Sequence, residues 1–218
     1  MGILAVLLMA LAIPGKASPG VLLPMLIMAD VFAVLYYRRD CQWKVLFKIL
    51  PITAIGIVIG FFVVDIIPQL LFEKVLGIII VAMLILSIFL EKNKAKINKS
   101  NNIFFTVFVG IAAGISTMIA NAAGPIFGVY FLQLGLPKEE FVGTRSWLFL
   151  LLNIFKIPFS AGLGLISLET LKIDFMFLPA ILLGAFVGYK VLKLINLELF
   201  KWLIRIAVVI AALRLLFF

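Results

Sequence analysis

Long apolar runs, interrupted by short polar punctuation, dominate this chain. The run Leu76–Leu90 (LGIIIVAMLILSIFL) is typical. It does not alternate as a barrel strand would, and its length suits a helix in lipid. Read on that pattern, the chain predicts nine helical segments: Gly2–Ala12, Gly20–Tyr37, Val45–Val64, Leu70–Leu90, Ile103–Ala120, Ile126–Gly135, Phe141–Phe159, Phe175–Tyr189 and Leu199–Phe218. Gly2–Ala12 and Ile126–Gly135 fall short of the roughly 20 residues that a crossing needs. The fold class expected is an all-α polytopic membrane protein, one transmembrane domain over residues 1–218.

Composition strengthens that reading. Hydrophobic residues make up 65% of the 218 and charged residues 13%, against roughly 45–50% and 25% in soluble domains. Mean hydropathy is +1.29. The net charge of +9 does not call for nucleic acid, because most of the basic residues lie in short loops, where they act as topology signals. Cys41 is the single cysteine and histidine is absent. An internal disulfide, a Cys-ligated metal and a His proton relay are therefore excluded, and neither a cofactor nor a metal is expected.

The chain repeats itself weakly. Leu50-Pro51, Gly56, Gly60, Phe72 and Phe89 recur as Leu178-Pro179, Gly184, Gly188, Phe200 and Phe217, all at an offset of 128. Upstream, Pro14, Gly20, Asp30 and Phe32 line up with Pro137, Gly143, Asn153 and Phe155 at an offset of 123. The change of offset falls in a loop, where insertions are tolerated. Internal symmetry of this kind marks secondary transporters. It divides the chain into repeat 1 at about 1–90, a cytoplasmic linker at 91–102 and repeat 2 at about 103–218. On this alignment the counterpart of Ile103–Ala123 falls before Met1. Either the true start lies upstream, or the first helix of repeat 1 is missing.

Orientation follows from Lys and Arg. The loops holding Arg38, Arg39, Lys44 and Lys48, then Lys92, Lys94, Lys96 and Lys99, then Lys138, then Lys190 and Lys193 carry eleven basic residues. The loops near Lys16, Lys74 and Lys172 carry one each. Placing the first group in the cytoplasm requires Ile103–Ala120 and Ile126–Gly135 to enter and return on that side as a re-entrant hairpin. Each repeat is then a broken hairpin plus three spans, and the second is inverted relative to the first. Phe218 ends outside.

The break Asn121-Ala-Ala-Gly124-Pro125 carries the most chemistry. Pro125 lacks an N–H and suits a first helical turn, and Gly124 permits the backbone angles of a break. Non-helical backbone in a membrane persists only against protein or a water-filled cavity. A half-helix starting at Ile126 aims free N–H groups and a positive dipole end at that cavity, a site for an anion. Thr117 and Asn121 share one face and add donors. The competing reading is a proline kink between packed helices.

Arg145 lies within the next span, where a buried arginine suggests function. Lys156 follows eleven residues later on the same face, about 16 Å along the helix, with Asn153 one turn before it. The planar fork of Arg145 suits an oxyanion. Alternatively, both side chains snorkel to the interfaces. Asp30, the repeat counterpart of Asn153, is either a proton carrier or the partner of Arg145 or Lys156. Lys16-Ala-Ser18-Pro19 reads as a polar loop. Gly56/Gly60 and Gly184/Gly188 read as small-residue packing faces. The candidate substrate-binding set is Asn121, Gly124, Pro125, Ile126, Thr144, Arg145, Asn153 and Lys156, with Asp30 as the coupling residue.

Two segments carry a family resemblance: GVLLPMLIMADVFAVLYYRRD from Gly20 to Asp40 followed by Trp43, and AGISTMIANAAGPIFGVYFLQLGLPKEEFVGTRSW from Ala113 to Trp147. With the spacing to Asn153, Lys156 and Pro158, the chain resembles the sulfite exporter TauE/SafE family of membrane transporters. That resemblance implies export of sulfite, sulfonates, sulfoacetate or related sulfur-containing anions, driven by the proton gradient, from the plasma or inner membrane. The partners implied are a small anionic substrate and membrane lipid, with a homo-oligomer left open. The glycine-rich motif that the family carries before the position of Leu4 is reduced here to Met1-Gly2-Ile3. The alternative function is therefore a non-transporting membrane scaffold or assembly protein, or an N-terminally truncated paralogue. No nucleophile–base pair or metal cluster is visible to support an enzyme.

Overall fold

The computed structural model describes residues 9, 16–37, 39–92, 103–168, 170–172, 174–176, 179, 206, 209 and 210. Helices account for nearly all of them, and no strand occurs among the described residues. Six helices have defined bounds: α1 Ala17–Tyr37, α2 Trp43–Ile66, α3 Gln69–Lys92, α4 Ile103–Ala120, α5 Gly124–Leu134 and α6 Lys138–Gly162. Three stretches, Ala17–Leu35, Trp43–Ile66 and Ile103–Ala120, are long and apolar enough to cross a membrane. The expected segments Gly2–Ala12, Phe175–Tyr189 and Leu199–Phe218, the linker at 91–102, and Gly184/Gly188 lie wholly or largely outside the described residues.

The helix ends follow local chemistry. Helix α2 stops at Ile67, whose backbone is extended at φ −64°, ψ 124°. Pro68 follows, and a residue before proline avoids the helical region. Helix α6 opens after Pro137 with Glu139 and Glu140 in its first turn, where carboxylates suit the positive end of the dipole. Helix α5 ends at Gly135, which has φ 66°, a left-handed stop that glycine adopts without strain. The sequence reading of Lys16–Pro19 as a loop is corrected: Ala17, Ser18 and Pro19 form the first turn of α1. The Lys16 ammonium donates to the Val64 and Asp65 carbonyls at the end of α2, satisfying acceptors that a helix end leaves open.

Small residues set the closest helix contact. On α2, a Cβ added to Gly56 would lie 2.9 Å from the Ile111 Cα and 3.0 Å from the Gly114 Cα. One added to Gly60 would lie 2.8 Å from the Met118 Cβ. On α4, one added to Gly110 would meet the Ile52 Cγ2 at 2.7 Å. The Gly56/Gly60 face is thus a packing face, as its spacing implies, and it meets a second glycine pair at Gly110/Gly114.

Helices α1 and α6, which the repeat alignment equates, pack against each other and run antiparallel. A Cβ on Gly20, near the start of α1, would overlap Leu165 just past the end of α6. A Cβ on Gly143, near the start of α6, would lie 2.6 Å from the Asp40 backbone just past the end of α1. The two glycines are the equivalents at an offset of 123, and each touches the far end of the other's helix. Trp43 and Trp147, with ring centroids 5.2 Å apart, join α2 to α6 beside the second of these contacts.

Candidate functional site at the helix break

Helices α4 and α5 are separate, as the sequence indicates. The first stops at Ala120 and the second starts at Gly124, two residues before the expected Ile126. Asn121 supplies the stop, with φ 48°; asparagine is second only to glycine in tolerating that conformation. The Asn121 N–H still reaches the Thr117 carbonyl at 3.0 Å, and the Ala122 N–H turns back to Ser116 at 3.3 Å. The Ala123 carbonyl accepts the first bond of α5, from the Phe127 N–H at 3.0 Å. Pro125 therefore sits in the first turn, where its missing N–H costs nothing. Apolar residues of both helices, among them Val109, Ala113, Phe127 and Phe131, share one buried cluster, so α5 folds back along α4.

Lys156 of α6 closes the break from one side. It is 2% exposed. Its ammonium donates to the Thr117 carbonyl at 3.0 Å, to the Thr117 Oγ1 at 3.3 Å and to the Asn121 Oδ1. Three donors thus meet three acceptor atoms. Lys156 does not snorkel. Thr117 and Asn121 do share a face, but they accept there instead of donating. The other half of the Asn121 amide, Nδ2, donates to the Pro19 carbonyl at 3.0 Å, so the asparagine links the break to the start of α1.

Arg145, also on α6, stands at the other side of the break. Its guanidinium carbon lies 5.4 Å from the centre of the Phe149 ring, one turn along, in cation–π geometry. A Cβ placed on Gly124 would come 3.4 Å from an Arg145 Nη and would meet no other heavy atom of the described residues within 4 Å. The guanidinium therefore sits directly against the first residue of α5, in van der Waals range of where its Cβ would lie. Arg145 keeps partial exposure, as do Gly124 and Pro125, whereas Ile126 is 5% exposed and belongs to the apolar cluster.

Asp30 links the two cations. Its carboxylate accepts from the Asn153 Nδ2 at 2.7 Å and lies in electrostatic range of both Lys156 and Arg145. It has Asn153 as its hydrogen-bond partner and both cations as neighbours, so the alternatives for Asp30 as a partner do not exclude one another. Asp30 and Asn153, which the sequence alignment sets opposite each other at an offset of 123, meet where α1 packs on α6.

Asn121, Gly124, Pro125, Arg145, Asn153, Lys156 and Asp30 thus gather around one break, with Ile126 behind it. Thr144 is engaged elsewhere. It is fully buried, and its Oγ1 accepts from the Gln42 N–H at 2.8 Å beside Cys41. Thr144 thereby fastens the connection between α1 and α2 to α6. Burial pushes the Cys41 thiol pKa above its ordinary value, and the Thr144 hydroxyl partly offsets this. The Pro19 carbonyl and the capping role of Lys16 had no sequence signal, because a backbone acceptor leaves no mark on residue type. Among the described residues no group of His, Cys, Asp and Glu is arranged to hold a metal.

Apolar helices of spanning length, one of them broken beside buried and half-buried charges, define the class: an all-helical membrane protein with a polar site between its helices. The family model described as Sulfite exporter TauE/SafE matches residues 1–215, and the chain belongs to that family, whose members are membrane exporters of sulfite and related anions and not enzymes. Neither the curated proteins nor the solved structures contain a match.

Proposed function

We propose that this chain is a proton-coupled secondary transporter that exports small sulfur oxyanions such as sulfite, sulfonates or sulfoacetate, as a multi-pass protein of the plasma or inner membrane. The observation that carries the reading is the close approach of the Arg145 guanidinium to Gly124 at the start of α5, where both residues keep partial exposure. An oxyanion seated there meets two complementary sources of positive potential. The guanidinium offers a planar pair of N–H donors. The α5 N-terminus offers the Gly124 and Ile126 amides and the positive end of the helix dipole. Lys156 and Asn121 hold the break in shape, and Lys156 adds positive potential from behind. Asp30, half-buried between the cations, is the carboxylate on which a coupled proton rides. Two inverted repeats meeting at Asp30 and Asn153 give the architecture for alternating access, a reading supported by the antiparallel packing of α1 on α6.

The test is sulfite and sulfonate uptake into proteoliposomes, with and without an imposed proton gradient. Arg145→Lys keeps the charge but loses the fork, and weakens apparent affinity. Arg145→Ala loses both, and weakens it by about ten- to a hundred-fold, the equivalent of one charge-assisted hydrogen bond. A folded Arg145→Ala that takes up substrate at the parental rate below saturation would refute the site.

A further inference from the structure

The end of α4 presents oxygens to a single point. The Thr117 carbonyl, the Thr117 hydroxyl and the Asn121 side-chain carbonyl all face the Lys156 ammonium. The Thr117 carbonyl also belongs to the last turn of a helix, where the dipole is negative. Oxygen-only surroundings at the C-terminal end of a broken helix are the setting in which transporters hold an alkali cation. Hard carbonyl and hydroxyl oxygens suit such ions. Here a covalently tethered cation occupies that setting.

We propose that the C-terminal end of α4 is a monovalent-cation site, and that the Lys156 ammonium is its built-in occupant. The inference does not depend on which anion is carried, or on Arg145. Its functional consequence is that this break keeps its shape without sodium or potassium. The charge facing the ammonium is Asp30 from α1, which also faces Arg145. Asp30, held by Asn153, balances the charge of the ammonium. Removing the ammonium leaves the Thr117 carbonyl with only the Asn121 N–H and takes a donor from the Thr117 Oγ1 and the Asn121 Oδ1, which is costly, and opens a space that a free alkali ion refills.

The experiment uses the full chain, purified in detergent, with thermal unfolding followed in choline, sodium, lithium and potassium chloride at constant ionic strength. The parent unfolds at the same temperature in all four. Lys156→Ala unfolds earlier in choline and recovers saturably with at least one alkali ion, its midpoint rising with ion concentration as mass action requires. Lys156→Ala combined with Asn121→Asp adds a carboxylate, and reaches half-recovery at about a tenfold lower ion concentration, equivalent to about 1.4 kcal/mol. Two results overturn the proposal. One is a parent that alkali ions stabilise saturably over choline. The other is a pair of variants indifferent to the salt, including variants that fail to fold in all four, because the proposal requires a free ion to replace the lost ammonium.

Discussion

Lys156 and Arg145 stand on one helix, eleven residues apart, and both serve the same break, yet their surroundings are opposite. Lys156 is sealed, with its ammonium donating only to oxygens of α4 and of the break itself. Arg145 is partly exposed, leaning on Phe149 and set against Gly124. A charge whose donors are all used by the protein is part of the scaffold, because it has nothing left to offer a ligand. A charge held by a ring face keeps its N–H groups in the plane of the guanidinium available. The same residue class, on one helix, is thus divided between architecture and binding by what each head group meets.

The largest expected effects test this division directly. Lys156→Met takes the ammonium from three buried acceptor atoms, of which the Thr117 carbonyl keeps the Asn121 N–H, and destabilises the fold by about 3–5 kcal/mol, the scale for breaking a buried charged network. Arg145→Ala changes stability by about 1 kcal/mol or less while lowering uptake about ten- to a hundred-fold. Thermal unfolding and proteoliposome uptake, measured on both variants, check the pair. Equal loss of stability in the two would erase the distinction between them.

Asp30 sharpens the comparison, because it faces both cations. Asp30→Asn removes a charge-assisted bond and costs about 1.5–3 kcal/mol. Asn153→Asp alone sets two carboxylates against each other and is also destabilising. Combining the two moves the carboxylate to the repeat-equivalent position, and recovers at least half of the summed loss. A double-mutant cycle on unfolding midpoints measures this coupling; strict additivity would show that the pair does not interact.

A smaller effect is expected on the open side. Gly124→Ala places a methyl group 3.4 Å from the guanidinium, which crowds the N–H donors proposed for an oxyanion without clashing with the fold. Its unfolding midpoint stays close to the parent's, while the substrate concentration for half-maximal uptake rises a few-fold. An unchanged half-maximal concentration would place the anion away from Gly124.

The smallest effect lies at the connection that Thr144 fastens. Burial holds the Cys41 pKa above the usual thiol value, so the thiolate is scarcer near pH 8 than in a free cysteine, and it appears only as pH rises through the raised value. Alkylation of the native protein is therefore slow at pH 8 and accelerates at higher pH, whereas the unfolded chain reacts at the rate of an ordinary thiol. Thr144→Val removes the hydroxyl that favours the thiolate and slows native alkylation further, with uptake little changed, since Thr144 is engaged with Gln42 and not with the break. Native alkylation at pH 8 as fast as in the unfolded chain would show that the thiol is not shielded.

By itself, the sequence determined the helical class, the break and the packing faces. Continuous apolar runs leave a chain in lipid no way to satisfy its backbone except as helices. Asn121, Gly124 and Pro125 are residue types whose backbone preferences interrupt a helix wherever they are placed together, and Gly56 and Gly60 permit close approach through spacing alone. The equivalence of Asp30 and Asn153 was also legible, as an offset of 123. Only the tertiary structure decided what the polar groups do. It joined Asp30 to Asn153 in one hydrogen bond, turned Thr144 toward Gln42, made Asn121 an acceptor for Lys156, and set a partly exposed Arg145 against Gly124. The reason is physical. Backbone and helix-face preferences are properties of neighbouring residues along one segment. The role of a buried charge depends on the oxygens that other helices bring to it, and some of these, such as the Pro19 and Thr117 carbonyls, are backbone atoms that no side-chain pattern encodes.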